Sequence, residues 1–301
     1  MPICKLCLTE NKTLCKSHLI PSFAVRWLKK TSATGYIRKK TNPNIRLQDG
    51  PKKRLLCKKC EAIFNEHETS FSKKIFHPYV DTQLNKDGIA TGNIKFFEYD
   101  KWLLRFLISI QWRVIVDSYS ELQTFPERFS SDRDRAERVW RNFLLNRTSH
   151  TYVGENHIIF LSSLAGGRGF LPAGTSKRLN FYLLRTFDGT IVIGRNIFAV
   201  YSKVGPISFF TTLKPRKLER TTDTKVKMRG KIKTGQQLRN DIINNYIFYI
   251  RPNETFDGSK MSIKQWDKVD KDMKGNIKRT SNSLTMKAYE ADLLIKNFIK
   301  K

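Results

Sequence analysis

Three short stretches decide how this chain is read: Cys4-Lys5-Leu6-Cys7, Ser17-His18-Leu19-Ile20-Pro21 and Leu56-Cys57-Lys58-Lys59-Cys60-Glu61. The two C-x2-C pairs use four of the five cysteines in the protein. Cysteines at that spacing sit on one tight turn, and two such turns supply the tetrahedral thiolate set that Zn²⁺ prefers. Cys4, Cys7, Cys57 and Cys60 are therefore expected to hold a structural zinc ion. The gap between the pairs is far longer than a simple zinc ribbon needs, so it must carry structure of its own. Cys15, outside both pairs, reads as a small buried residue.

The constellation resembles the HNH (ββα-metal) endonucleases, in the branch with a treble-clef-like four-cysteine zinc site, as in phage junction resolvases. The resemblance is confined to residues 4–68. It implies a hairpin between the cysteine pairs that presents a general-base histidine, and His18, followed by Ile20-Pro21, matches that position. It implies further that the residue directly after the last zinc cysteine opens a helix and binds the catalytic metal, and Glu61 matches. Ser17 stands where the family usually has Asp or another ligand, and Glu61 where it usually has Asn or His. Asn44 matches a family Asn that braces the hairpin. The implied activity is phosphodiester hydrolysis with Mg²⁺ or Mn²⁺ on Glu61, leaving 5′ phosphate and 3′ hydroxyl ends. Stand-alone nucleases of this type often serve bacterial or phage defence, which is an analogy.

The stretch after Cys60 is read as a helix from Glu61 to about Phe76. At the helical period Glu61, Asn65 and Glu68 fall within a sector of about 60°, beside an apolar stripe of Phe64, Phe71 and Ile75. One face bearing two carboxylates and an amide suits a hard divalent cation, which takes oxygen donors. His67 and His77 are weaker ligand candidates at its edge.

Charge points to the same class of partner. Lys plus Arg number 56 against 27 Asp plus Glu, giving 56 − 27 = +29. Residues 1–60 alone hold 15 basic residues against Glu10 and Asp49, or 15 − 2 = +13. Such an excess draws a protein to a polyanion, and nucleic acid is the expected one, DNA ahead of RNA. Arg38, Lys39, Lys40 and Arg46, in a basic loop rich in Gly, Pro and Asn, are expected against phosphates. So are Lys231 and Lys233, in a Lys225–Lys233 run that alternates basic with smaller or apolar residues, as an edge strand does.

The opening Met-Pro-Ile-Cys has neither a basic leader nor an apolar run, so no signal peptide is expected. The most apolar segment, Trp102–Val116, is broken by Arg105, Gln111 and Arg113, and reads as a buried helix with no membrane role. Cysteines grouped for metal favour a reducing compartment, and the cytoplasm is the default.

Elsewhere, Ser22–Lys30 reads as a helix, with Phe23 and Trp27 four apart. Asp81–Gly92 reads as a linker, Tyr99–Tyr119 as a central helix, and Ser131-x-x-Asp134 as a capping box opening another. From His157 the period becomes that of strands. His157–Leu161 is one; Asn180–Phe187 and Thr190–Ile193 are read as a hairpin turning at Asp188-Gly189; Ile197–Ser202 and Ile207–Thr212 as a second turning at Gly205-Pro206. Gly166-Gly167-Arg168-Gly169 reads as a loop, and Ser283–Ile299 as a closing amphipathic helix. The expected fold is α+β: an N-terminal zinc-bound ββα-metal module over residues 1–80, then an antiparallel sheet with packed helices over 81–301 for substrate choice or regulation. The competing function is a non-catalytic zinc-dependent nucleic-acid-binding protein, which Ser17 in place of a carboxylate favours.

Overall fold

A computed structural model describes the chain except residues 1, 11, 40–41, 122–124, 152–153, 166–173, 222, 256–260 and 296–301. Cys4–Cys7 forms a tight turn, closed where Leu8 N–H donates to the Cys4 carbonyl at 2.8 Å. Leu8 adopts φ 60° to make that closure. The chain then enters strand β1 (Leu14–His18) and turns at Pro21 into α1 (Ser22–Lys30), within the expected bounds. Phe23, Ala24, Trp27 and Leu28 are buried on one side of α1, while Lys29 and Lys30 sit favourably at its negative end. A small hairpin, β2 (Ile37–Lys39) with β3 (Asn42–Leu47), precedes β4 (Lys52–Cys57). Strand β4 pairs antiparallel with β1, from Leu14 opposite Cys57 to His18 opposite Lys52, with an irregularity between Cys15 and Lys16.

Helix α2 (Lys58–Phe71) follows β4 without a loop. It begins three residues earlier than the sequence suggests, so Cys57 is its N-cap and Glu61 lies inside the first turn. The open N–H groups of that turn favour anionic groups such as thiolate and carboxylate, which explains the earlier start. The helical path continues through a wider π-type turn at Ser72–Phe76 into α3 (His77–Thr82). The stretch expected to be a linker is thus helical at its start, then a tight turn closed by a bridge between Leu84 and Ala90.

Beyond it come β5 (Phe96–Tyr99), α4 (Lys101–Glu121), α5 (Ser130–Leu144), β6 (Asn156–Phe160) and α6 (Leu179–Arg185). Then follow β7 (Phe187–Ile193), β8 (Phe198–Val204), β9 (Ile207–Lys214) and β10 (Gly230–Lys233). The helices α7 (Asp241–Asn245), α8 (Arg251–Thr255), α9 (Ile263–Lys274), α10 (Ile277–Ser281) and α11 (Leu284–Ile295) close the described chain. The protein is therefore mixed α and β, with an antiparallel sheet in the order β6-β9-β8-β7 and a separate β5–β10 ribbon.

Three local expectations are corrected. The hairpin expected over residues 180–193 is instead α6 followed by one strand, β7, with Asp188 and Gly189 inside it. Asn180–Arg185 is apolar on nearly every side, so its period could not separate helix from strand. What decides it comes from far along the chain: the Asp292 carboxylate accepts the backbone N–H groups of Asn180 at 2.6 Å and Phe181 at 3.1 Å, capping the start of α6. Helix α5 starts at Ser130 after a 3₁₀ turn, and no side chain caps it, so the Ser131–Asp134 box is not formed. In the basic run, the paired strand is only Gly230–Lys233, joined to Phe96–Tyr99. The β8–β9 hairpin forms as read. The glycine loop at 166–169 lies outside the described residues, as does the end of the tail helix beyond Ile295.

Packing crosses the boundary expected at residue 80. Phe71 of α2 stacks on Phe106 of α4, with ring centres 4.0 Å apart and planes at 10°, and both touch Phe209 of β9. Each of these rings is fully buried, worth about 1.5–3 kcal/mol apiece. One apolar cluster runs from Cys4 and Leu6 through α1, α2 and α4 to the sheet. No described helix is long and apolar enough to cross a membrane.

Candidate metal and catalytic site

The antiparallel pairing of β1 with β4, and the absence of a loop before α2, bring the two cysteine pairs together. The Sγ atoms of Cys4, Cys7, Cys57 and Cys60 all lie within 4.8 Å of one another. Among the described residues this is the group of His, Cys, Asp or Glu side chains that converges well enough to hold a metal ion. Cys57 N–H donates to Cys4 Sγ at 3.3 Å, fixing one sulfur by backbone. Burial pushes the Cys4 and Cys60 thiols up. Burial works against Cys7 as well, yet hydrogen bonds from Thr9, hydroxyl then backbone, outweigh it and bring that thiol down to about 6. Left to itself, such a set favours one thiolate and resists the next, because like charges crowd a part-buried space. A dication removes that conflict, and four sulfurs at this spacing fit Zn²⁺. Cys15, half-buried on β1, stands outside the group.

Beside the cluster lies the second constellation. Ser17, fully buried, donates its hydroxyl to Glu61 Oε2 at 2.5 Å, so the second-last residue of β1 touches the first turn of α2. His18 ends the strand, and its Nε2 lies 3.0 Å from Asp49 Oδ1. Lys52 closes on the other oxygen of Asp49 at 2.6 Å. Burial alone would raise the Asp49 carboxyl, but Lys52, His18 and the Gly50 N–H outweigh it and hold it well below the usual range. A Cβ on Gly50 would meet Val25 Cγ2 at 2.8 Å, so the turn that carries Asp49 needs glycine there to approach α1. Asp49 is the site residue the sequence reading missed. Its signal was present: with Glu10, it is one of two acids among the first 60 residues.

The remaining candidates are placed less centrally. Asn65 is exposed on α2. Glu68 is buried and turned to α4, where Arg113 Nη2 meets its Oε1 at 2.7 Å. The expected shared face of Glu61, Asn65 and Glu68 is thus divided: Glu68 is committed to an ion pair, because α4 packs on that side of α2. His67 is buried with neither ring nitrogen hydrogen-bonded, and burial, then nearby Arg105, push its pKa down. His77 faces Asp81 at 3.7 Å. Replacing Glu68 with Ala strands the Arg113 charge in a dry site and is expected to cost about 3–5 kcal/mol in urea unfolding. A loss below about 1 kcal/mol would show the pair to be dispensable.

Of the basic residues, Arg38 donates to the Pro43 carbonyl at 2.5 Å, and Arg46 lies over the Tyr36 ring and pairs with Asp272 at 2.9 Å. Asn44 accepts from Ser262 N–H at 2.8 Å, tying the β2–β3 hairpin to the start of α9 rather than bracing β1 against β4. Lys39 ends β2, and Lys40 lies outside the described residues. Lys231 pairs with Glu98 at 2.7 Å and Lys233 with Asp223 at 3.3 Å. No protein-family model matches this chain, and neither a curated protein nor a solved structure matches it.

Proposed function

We propose that this chain is a metal-dependent endonuclease of the HNH type, hydrolysing phosphodiester bonds in DNA. The observation that carries the reading is the contact of Ser17 on β1 with Glu61 on α2, one residue from His18 and its Asp49 partner. A strand pair leading straight into a helix, with thiols on both sides of the hairpin, is the treble-clef-like ββα arrangement that the resemblance implies. Cys4, Cys7, Cys57 and Cys60 would hold Zn²⁺ closed to substrate, keeping hairpin and helix in register. Glu61, with the Ser17 hydroxyl beside it, would hold Mg²⁺ or Mn²⁺, and Asn65 lies one turn further along the same helix. An ion bound there supplies charge neutralisation at the attacked phosphate and the leaving oxygen. With His18 Nε2 tied to Asp49, Nδ1 is the nitrogen left to take a proton from the attacking water. Asp49 sets the orientation of that ring, as an acid beside a catalytic histidine does.

The test is cleavage of plasmid and single-stranded DNA with added Mg²⁺, Mn²⁺ or neither. Ends carrying 5′ phosphate, formed only with the divalent ion, are the expected result. The competing reading is a zinc-dependent nucleic-acid binder without catalysis. The short Ser17–Glu61 bond favours it, since a hydroxyl brings no charge to a metal. Retention of DNA with no cleavage in any metal would establish that reading instead. In either case affinity should fall steeply as salt rises, because a surface this basic binds by releasing counterions. Binding that stays flat between about 50 and 200 mM salt would show that the cationic excess serves something other than phosphates.

A further inference from the structure

A cavity of about 390 Å³ lies between the β1–β4 pair and the four-stranded sheet. Leu19 and Pro51, from the loops flanking the hairpin, form one wall; Arg113 and Val114 of α4 form the floor; Ile191 and Lys203 of β7 and β8 stand opposite. The volume falls within the range of small-molecule sites, about 300–1,000 Å³, and the walls are apolar with a few polar groups set among them, as such sites are.

The polar groups differ in how far they are satisfied. Asp117 is paired with Lys53. Asp188 is held by Arg251 through two bonds of 2.6 Å, and Tyr182 donates to it at 3.1 Å. Lys203, fully buried, donates to the carbonyls of Thr186 and Gly205. Arg113 is the exception: one nitrogen serves Glu68, while buried Nε and Nη1 have no hydrogen-bond partner. Its side chain is 2% exposed and lies against the Phe64 ring, 4.6 Å from the centroid. Buried N–H donors without acceptors are rare in folded proteins, because each forfeits its bonds to water. The cavity's acids are occupied, so a cationic ligand finds no free counter-ion. Its open donors call for an acceptor.

We propose that this cavity binds a small organic anion, its acid group on Arg113 and its apolar body against Leu19, Val114 and Ile191. The proposal does not depend on nuclease activity. It would nonetheless reach that site, since Leu19 follows His18, Pro51 precedes Lys52, and Arg113 anchors α2 through Glu68.

The test uses two dyes with one aromatic body, 1-anilinonaphthalene-8-sulfonate and its uncharged counterpart N-phenyl-1-naphthylamine, titrated into the full zinc-loaded protein. The sulfonate is expected to bind at a saturable site at least about tenfold more tightly than the uncharged dye, the effect of a charge-assisted hydrogen bond. Val114→Phe, which fills the cavity, should remove one sulfonate site; Ile191→Trp fills it from the opposite wall should the first variant misfold. Arg113→Lys keeps a cation for Glu68 but loses the fork of donors. It should weaken the sulfonate about tenfold while leaving the uncharged dye and the zinc content unchanged. Equal binding of both dyes, or sulfonate sites untouched by either cavity-filling variant, overturns the proposal.

Discussion

Loss of zinc should unfold the N-terminal section of this protein and loosen the core beyond it. Thiolate–zinc binding is folding free energy in small modules, about 10–16 kcal/mol in isolated zinc-finger peptides. Here Cys4, Cys57 and Cys60 belong to the same apolar cluster as Phe71 and Phe106, so the metal fastens a wall of the shared core. Without it, the buried thiols must stay protonated or crowd their charges. The four-cysteine turns then lose the tie between Cys4–Cys7 and the start of α2. Strong chelator, or Cys57→Ser, should therefore lower the melting temperature and expose residues 1–80 to protease, while Cys15→Ser should do neither. Elemental analysis is the check. Protein purified without zinc, with an unchanged melt and four thiols unreactive to a thiol reagent, would remove the metal from the account.

The sequence was most legible where local pattern and tertiary contact agree. The cysteine pairs needed only their spacing, and α1 and α4 were readable from apolar period and length. The β8–β9 turn followed from Gly205-Pro206 between two apolar runs. What stayed hidden belongs to groups that meet only in space. Asp49 reaches His18 because β1 and β4 pair in one register, which no local window contains. Glu68 looked like a metal ligand because a helical wheel sees one helix, whereas Arg113 arrives from α4. Lys231 read as a phosphate contact until the β5–β10 ribbon set Glu98 opposite it. Helix α6 needed a cap from Asp292, more than a hundred residues away.

His18 and Glu61 are expected to fail in different ways, and that difference separates a nuclease from a binder. His18→Ala removes the proposed base from the end of β1 and leaves the zinc cysteines, the Ser17–Glu61 contact and the basic surface in place. Folding, zinc content and DNA affinity should hold while cleavage falls about 10²–10⁴-fold, the usual worth of a positioned general base. Asp49→Asn should lie between wild type and that variant, since the ring remains but its orienting charge is gone. Glu61→Ala should instead abolish the response to added Mg²⁺ or Mn²⁺, because the carboxylate is the charged oxygen donor offered there. Structural zinc should survive it, as Glu61 is not among the four sulfurs. Single-turnover cleavage against metal concentration distinguishes the two: His18→Ala lowers the plateau, whereas Glu61→Ala removes the metal dependence itself. Equal cutting by wild type and both variants would move the chemistry elsewhere on the protein.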